Sequence, residues 1–167
     1  MTHRGNLQHE ARARRPSGRR SPRARLVCLV AVICCWLPLG RVSADDAPLR
    51  FLVVVNPRSA ESSTTREFLS DAFLKKTTRW PGGEQLRPVD LRPDSVTRSW
   101  FSDAILRRSV SAVRNYWQQR IFTGRGVPPP EVESDGAVLR YVQLHPGAVG
   151  YVSEQADCRE VKVLAVR

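Results

Sequence analysis

An α/β sandwich, with a short mixed sheet flanked by helices, is the fold class this sequence predicts, and three observations lead to it. Phe51-Leu52-Val53-Val54-Val55 is an unbroken apolar, largely β-branched run closed by Asn56-Pro57, the pattern of a strand covered on both faces. Between residues 65 and 144, apolar side chains recur at helical spacing in four segments. The chain then closes on two strand-like runs, Gly147 to Val152 and Val161 to Val166. A strand buried on both faces requires helices on each side of its sheet, which is why the segments are read as layers of one domain.

The elements follow in order. After a polar loop through Ser62 and Ser63, Thr64 and Glu67 stand at capping-box spacing, and Phe68, Leu69, Ala72 and Phe73 share one helical face. A first helix is expected from about Thr65 to Leu74. Trp80-Pro81-Gly82-Gly83 interrupts the chain, and Leu86 to Leu91 forms a second strand that Pro88, lacking an N–H, pushes toward a sheet edge. Beyond Arg92-Pro93-Asp94-Ser95, a second helix is marked by Val96, Trp100, Phe101, Ala104 and Ile105 and ends at Arg107-Arg108. A third begins near Ser109, with Val113, Tyr116, Trp117 and Phe122 as its inward stripe. Thr123-Gly124-Arg125-Gly126 and Pro128-Pro129-Pro130 make a loop. Glu133-Ser134-Asp135 then caps a fourth helix through about Leu144, with Val138, Leu139 and Val142 facing inward.

Residues 1–44 read as a secretory signal peptide. An arginine-dense lead runs into the 14 uncharged residues from Leu26 to Leu39, and Val42-Ser43-Ala44 supplies the small side chains of a cleavage site. A bilayer-crossing helix needs about 20 apolar residues, so cleavage near Asp45 is expected rather than a permanent anchor. Residues 45–167 then form a single domain, periplasmic or secreted. Residues 1–44 hold nine Arg and one Glu, so 18 of 27 basic and 15 of 16 acidic side chains remain, and the net charge of +11 falls to +3. That balance, with the remaining bases scattered, excludes a nucleic-acid partner. Only Cys158 and His145 remain of their kinds, too few for the usual zinc sets or for a Cys-His or Ser-His pair. No metal, no cofactor and no catalytic group is expected, and no internal disulfide is possible in the mature chain.

Several blocks resemble one family. Phe73-Leu74-Lys75-Lys76-Thr77-Thr78-Arg79-Trp80-Pro81 is similar to the IFxGKxTxW turn of PstS-like phosphate-binding proteins of ABC transporters. Arg87-Pro88-Val89-Asp90 resembles the strand that follows it, and Pro146-Gly147-Ala148-Val149-Gly150-Tyr151 resembles the family's PGAIGY. Val161-Lys162-Val163-Leu164 matches a VKxL closing strand. The resemblance spans residues 50 to 166 and implies one lobe of a type 2 periplasmic-binding-protein fold. Where the family has R-x-D-G-S-G-T, this chain has Arg92-Pro93-Asp94-Ser95-Val96-Thr97, with one glycine missing and Val96 in place of the other. The resemblance implies an oxyanion site formed by Arg92, Ser95, Val96 and Thr97. Physical chemistry favours such a place, because a helix start offers unpaired N–H donors and a guanidinium can grip two oxygens. Ser62 and Ser63 are possible further donors.

The expected function is that of an exported, non-enzymatic solute-binding-like protein, taking phosphate or another small oxyanion in association with an ABC transporter. The alternative is a periplasmic interaction or sensory module that keeps the fold, has lost the ligand, and meets a membrane or periplasmic partner. Retention of Arg92, Ser95 and Thr97 points to the first, and loss of both glycines to the second.

Overall fold

The computed structural model describes residues 49–167, and the signal-peptide reading of residues 1–44 lies outside them. At the centre stands β1 (Phe51–Val55), paired antiparallel on one side with β6 (Ala148–Ser153) and on the other with β7 (Lys162–Val166). Two-residue strands complete the sheet, β2 (Ser63–Thr64) parallel to β7 and β3 (Arg87–Pro88) parallel to β6, giving the order β2-β7-β1-β6-β3. The sheet is thus mixed, and helices cover both faces, as the apolar run of β1 predicts.

In the antiparallel pair, directly opposed residues share a face. Phe51, Val53 and Val55 therefore lie with Tyr151 and Val149, under Phe73 of α1 (Arg66–Phe73) and Phe101 of α2 (Val96–Phe101). The Phe101 and Tyr151 rings stack at 3.8 Å, and Phe73 lies 4.6 Å from Phe101. On the opposite face, Val54 pairs with Gly150, against which Val138 and Val142 of α4 (Asp135–Leu144) pack. A Cβ at Gly150 would stand 2.5 Å from Val138 Cγ1, so a hydrogen is what lets α4 approach the sheet. Asn56, which ends β1, is buried and ties α4 down by its C-terminus. Its Nδ2 donates to the carbonyls of Val142 at 2.8 Å, Gln143 at 3.1 Å and His145 at 3.2 Å, acceptors that a helix end leaves unpaired.

Local differences from the sequence expectation have local causes. The α1 cap is Thr65, whose hydroxyl accepts from Phe68 N–H at 3.2 Å, because Ser63 and Thr64 are drawn into β2 against Ala165 and Val166. Leu86 to Leu91 is not one strand. Pro88 ends β3 at the sheet edge, and the chain changes partner to make β4 (Asp90–Leu91), parallel to β5 (Glu131–Val132) in a separate two-stranded ribbon. The second helix passes into one turn of π-helix, Ser102–Leu106, and Arg107 closes it at φ 53°. α3 (Val110–Phe122) begins at its Ser109 cap, but only Val113 and Trp117 are buried, while Phe122 is 90% exposed. Val96 is likewise turned outward rather than into the core. Among the described residues no helix is long and apolar enough to cross a membrane.

Candidate functional site

The segment singled out by sequence begins where β4 ends. Ser95 N–H donates to Arg92 O at 3.1 Å, closing a turn with Pro93 and Asp94 at its corner. Ser95 then caps α2, its Oγ accepting from Arg98 N–H at 3.4 Å. The N–H groups of Val96 and Thr97 open the helix and meet no acceptor among the described residues. Arg92 folds over the same turn, with NH2 3.0 Å from Asp94 Oδ2 and NH1 3.8 Å from Glu133 Oε1. Of the four residues named from sequence, Arg92 is exposed, Ser95 is half-buried, Val96 is 61% exposed, and Thr97 is 8% exposed. The structure brings Arg92, Ser95 and the first two helical N–H groups to one surface turn and tucks the Thr97 side chain inward. Ser62 and Ser63 are not brought there. Ser63 is committed to β2, at the sheet edge opposite β3.

One turn further, α2 carries a buried charge that motif reading passed over. Arg98 is 3% exposed, as is Asp90 of β4. Its NH1 pairs with Asp90 Oδ1 and donates to Leu91 O at 3.0 Å. The same Asp90 oxygen accepts from Tyr151 Oη–H and, at 3.0 Å, from Leu91 N–H. Burial pushes the Asp90 carboxyl up to about 6, opposed first by Arg98 and then by the Tyr151 hydroxyl. Burial and the neighbouring Asp90 charge push the Tyr151 hydroxyl upward as well. These two groups staple the β4–α2 turn to β6, so the cluster holds the candidate site in place without contacting its exposed side. A signal for it existed. Arg98 falls on the same helical stripe as Phe101 and Ile105, and Asp90 interrupts an apolar run, two charges that only mutual pairing makes tolerable inside a core.

The PGAVGY block proves to be structural. Gly147 adopts φ 71°, and its carbonyl accepts from Arg87 N–H at 3.0 Å and from Trp80 Nε1–H at 3.0 Å. Trp80, read from sequence as part of a chain break, is buried and stacks on Phe68 at 5.3 Å. Cys158 is a free, partly buried thiol whose ionisation burial opposes first, then Asp157 and Asp135. Among the described residues no group of three or more His, Cys, Asp or Glu is placed to hold a metal ion.

No known family model matches the sequence, and no curated protein matches it. Solved structures do match the fold. An ABC-type phosphate transport receptor from Vibrio cholerae is similar at TM-score 0.52 and 19% identity, over 72% of this chain and 48% of its own. PstS from Borrelia burgdorferi aligns at TM-score 0.55 and 14% identity, over 71% of this chain and 47% of its own. A Clostridium perfringens structure with bound phosphate, assigned as a phosphate ABC transporter substrate-binding protein, aligns at TM-score 0.55 and 18% identity, over 70% and 44%. The fold is therefore that of about half of a periplasmic-binding protein. Within that class it is similar to the PstS-like substrate-binding proteins of phosphate transporters, and the chain spans less than half the length of those structures.

Proposed function

We propose that this protein is an exported, non-enzymatic, solute-binding-like protein that takes phosphate or another small oxyanion at the opening of α2, beside an ABC transporter. The observation that supports this reading is that Arg92, the Ser95 cap and the N–H groups of Val96 and Thr97, which open α2, follow one another in a single turn closed by the Ser95 N–H to Arg92 carbonyl bond. The first N–H groups of α2 form the positive end of the helix, where an anion is favoured. The carboxylates of Asp94 and Glu133 hold Arg92 only loosely, since surface pairs of this kind contribute about 0–1 kcal/mol, and a doubly charged phosphate can displace them. The fold shared with phosphate-transport receptors supports the choice of ligand class.

Calorimetric titration of the purified protein with phosphate and sulfate tests the reading. Arg92→Ala is expected to weaken binding by about 2 kcal/mol, roughly thirtyfold, through loss of a charge-assisted bidentate contact. Val96→Gly removes an exposed β-branched side chain from the helix entrance and is expected to tighten binding. Heat signals absent from both the parent and Val96→Gly would eliminate the solute-binding reading. The second reading, an interaction module facing a membrane or periplasmic partner, is favoured by the outward Val96 and Phe122, 61% and 90% exposed. Export is proposed on the leader-like residues 1–44. N-terminal sequencing of exported material is expected to start at or near Asp45, and a membrane-embedded species retaining Leu26 to Leu39 would contradict it.

A further inference from the structure

We infer that the end of α3 and the loop after it, residues 120–127, dock on an anionic phospholipid surface. Residues 121–127 are all exposed, and three of them are large and apolar: Ile121 at 52%, Phe122 at 90% and Val127 at 62%. Pro128 lines the same cavity as Ile121, so the loop returns to the helix it leaves. Apolar side chains gathered at one exposed tip mark a contact surface. The backbone there is already satisfied within itself. The N–H groups of Thr123, Gly124 and Arg125 donate to the carbonyls of Gln119 at 3.1 Å, Ile121 at 3.0 Å and Arg120 at 2.9 Å. Arg120 NH2 donates to the Arg125 carbonyl at 2.8 Å, and Thr123 Oγ1 to that of Gln119 at 2.9 Å. Backbone groups paired in this way cost little when the tip sinks among headgroups.

Charge decides the occupant. From Ala104 to Pro130 the chain holds five Arg and no Asp or Glu. Arg114, Arg120 and Arg125 form no ion pair with a carboxylate among the described residues. The Arg120 guanidinium lies 5.5 Å from the Tyr116 ring and 6.0 Å from that of Trp117, contacts that aim it without neutralising it. Lys75 adds a fourth cation, its Nζ donating to the Pro128 carbonyl at 3.3 Å. Glu131 and Arg98 line the cavity beside Ile121 as well, but Arg98 is paired with Asp90. Four cations against the one carboxylate of Glu131 leave the tip at +3. In a two-fold dimer a second copy would set the same positive tip against itself and be repelled. Three side chains also fall short of the about 800 Å² per partner that a stable protein interface buries, whereas a bilayer demands no matching shape. Aromatic and aliphatic side chains rimmed by Arg are what an anionic membrane interface takes up. The inference rests on the interaction reading and is independent of the oxyanion turn, since Arg92, Ser95, Val96 and Thr97 are not part of the tip.

Residues 45–167 form one compact unit that holds every described element, and using this form keeps the leader-like segment out of the measurement. Cosedimentation with vesicles of equal parts phosphatidylglycerol and phosphatidylcholine is expected to give half-maximal binding on the order of 1 mM lipid, weaker than the roughly 0.1 mM of a single myristoyl chain. Pure phosphatidylcholine vesicles are expected to bind at least about tenfold more weakly. Salt at about 1 M, where the Debye length is about 3 Å, is expected to release most of the bound protein. Phe122→Ser keeps every charge and is expected to weaken binding about tenfold, and Arg125→Gln about fivefold. Leu144→Ser, at an exposed position on α4 outside the tip, is expected to leave it unchanged. All three variants are expected to melt with the parent, because the altered side chains are exposed. Three outcomes would overturn the site: no binding up to about 10 mM anionic lipid, far above the expected midpoint; equal binding to pure phosphatidylcholine; or binding that Phe122→Ser leaves intact. The first would leave an acidic protein as the partner for the interaction reading, whereas failure of phosphate binding would sink the oxyanion reading alone.

Discussion

Gly147→Ala is expected to destabilise the protein by about 4 kcal/mol, among the largest effects a single methyl can have. Two separate costs coincide. The residue sits at φ 71°, a left-handed conformation that costs a non-glycine residue on the order of 1 kcal/mol. A Cβ there would also stand 2.0 Å from the Gln85 carbonyl oxygen. That obstacle is backbone, so no rotamer change relieves it. Any shift that makes room also pulls the Gly147 carbonyl from Arg87 and Trp80, loosening β3 and the buried indole together. Gly82→Ala is the matched control, because nothing lies within 4 Å of the added Cβ and its φ is not left-handed. Urea denaturation of both variants decides the matter. Gly82→Ala is expected to stay within about 0.5 kcal/mol of the parent. A comparably small effect at Gly147 would contradict the close approach.

Arg98→Ala is the second large effect, with an expected cost of about 3–5 kcal/mol at pH 8, since it strands a buried carboxylate without its counter-charge. The double change Asp90→Leu with Arg98→Met removes both charges and is expected to recover much of that loss, as apolar replacement of a buried pair often does. The pH dependence separates charge from packing. Burial raises the folded Asp90 carboxyl from 3.8 to about 6. A group raised in this way contributes stability that is full below about pH 4 and lost as the pH climbs through 6. Removing Arg98 takes away the main influence opposing that rise, so in Arg98→Ala the carboxyl holds its proton to still higher pH. The penalty of Arg98→Ala is therefore expected to be smaller at pH 4.5 than at pH 8. Equal penalties would mean that lost packing, not an unpaired charge, dominates.

What local pattern can encode was legible in this chain. The run Phe51 to Val55 is a central strand with helices on both sides of its sheet, Ser95, Ser109 and Ser134 each cap the helix expected to follow them, and Pro88 does mark a sheet edge. Caps, prolines and apolar spacing act within a few residues, so they are written where they operate. The candidate oxyanion turn was legible for the same reason: Arg92, Ser95 and the first N–H groups of α2 are neighbours in sequence.

Tertiary structure alone decided which periodic side chains found a partner. Val113 and Trp117 of α3 are covered, whereas Phe122, on the predicted stripe, is left in solvent because no described element packs over the last turn. It also decided the fate of the buried charges. Asp90 receives the Tyr151 hydroxyl across 61 residues of sequence, and that long-range contact sets which way the β4–α2 turn is held. By itself the sequence determined the order of the four helices and the three longer strands, the caps of α2, α3 and α4, and the turn that opens α2. The interior pairing of Asp90, Arg98 and Tyr151 and the tight seat of Gly147 arose only when distant segments were pressed together, because desolvation and steric exclusion exist only between surfaces that folding has brought into contact.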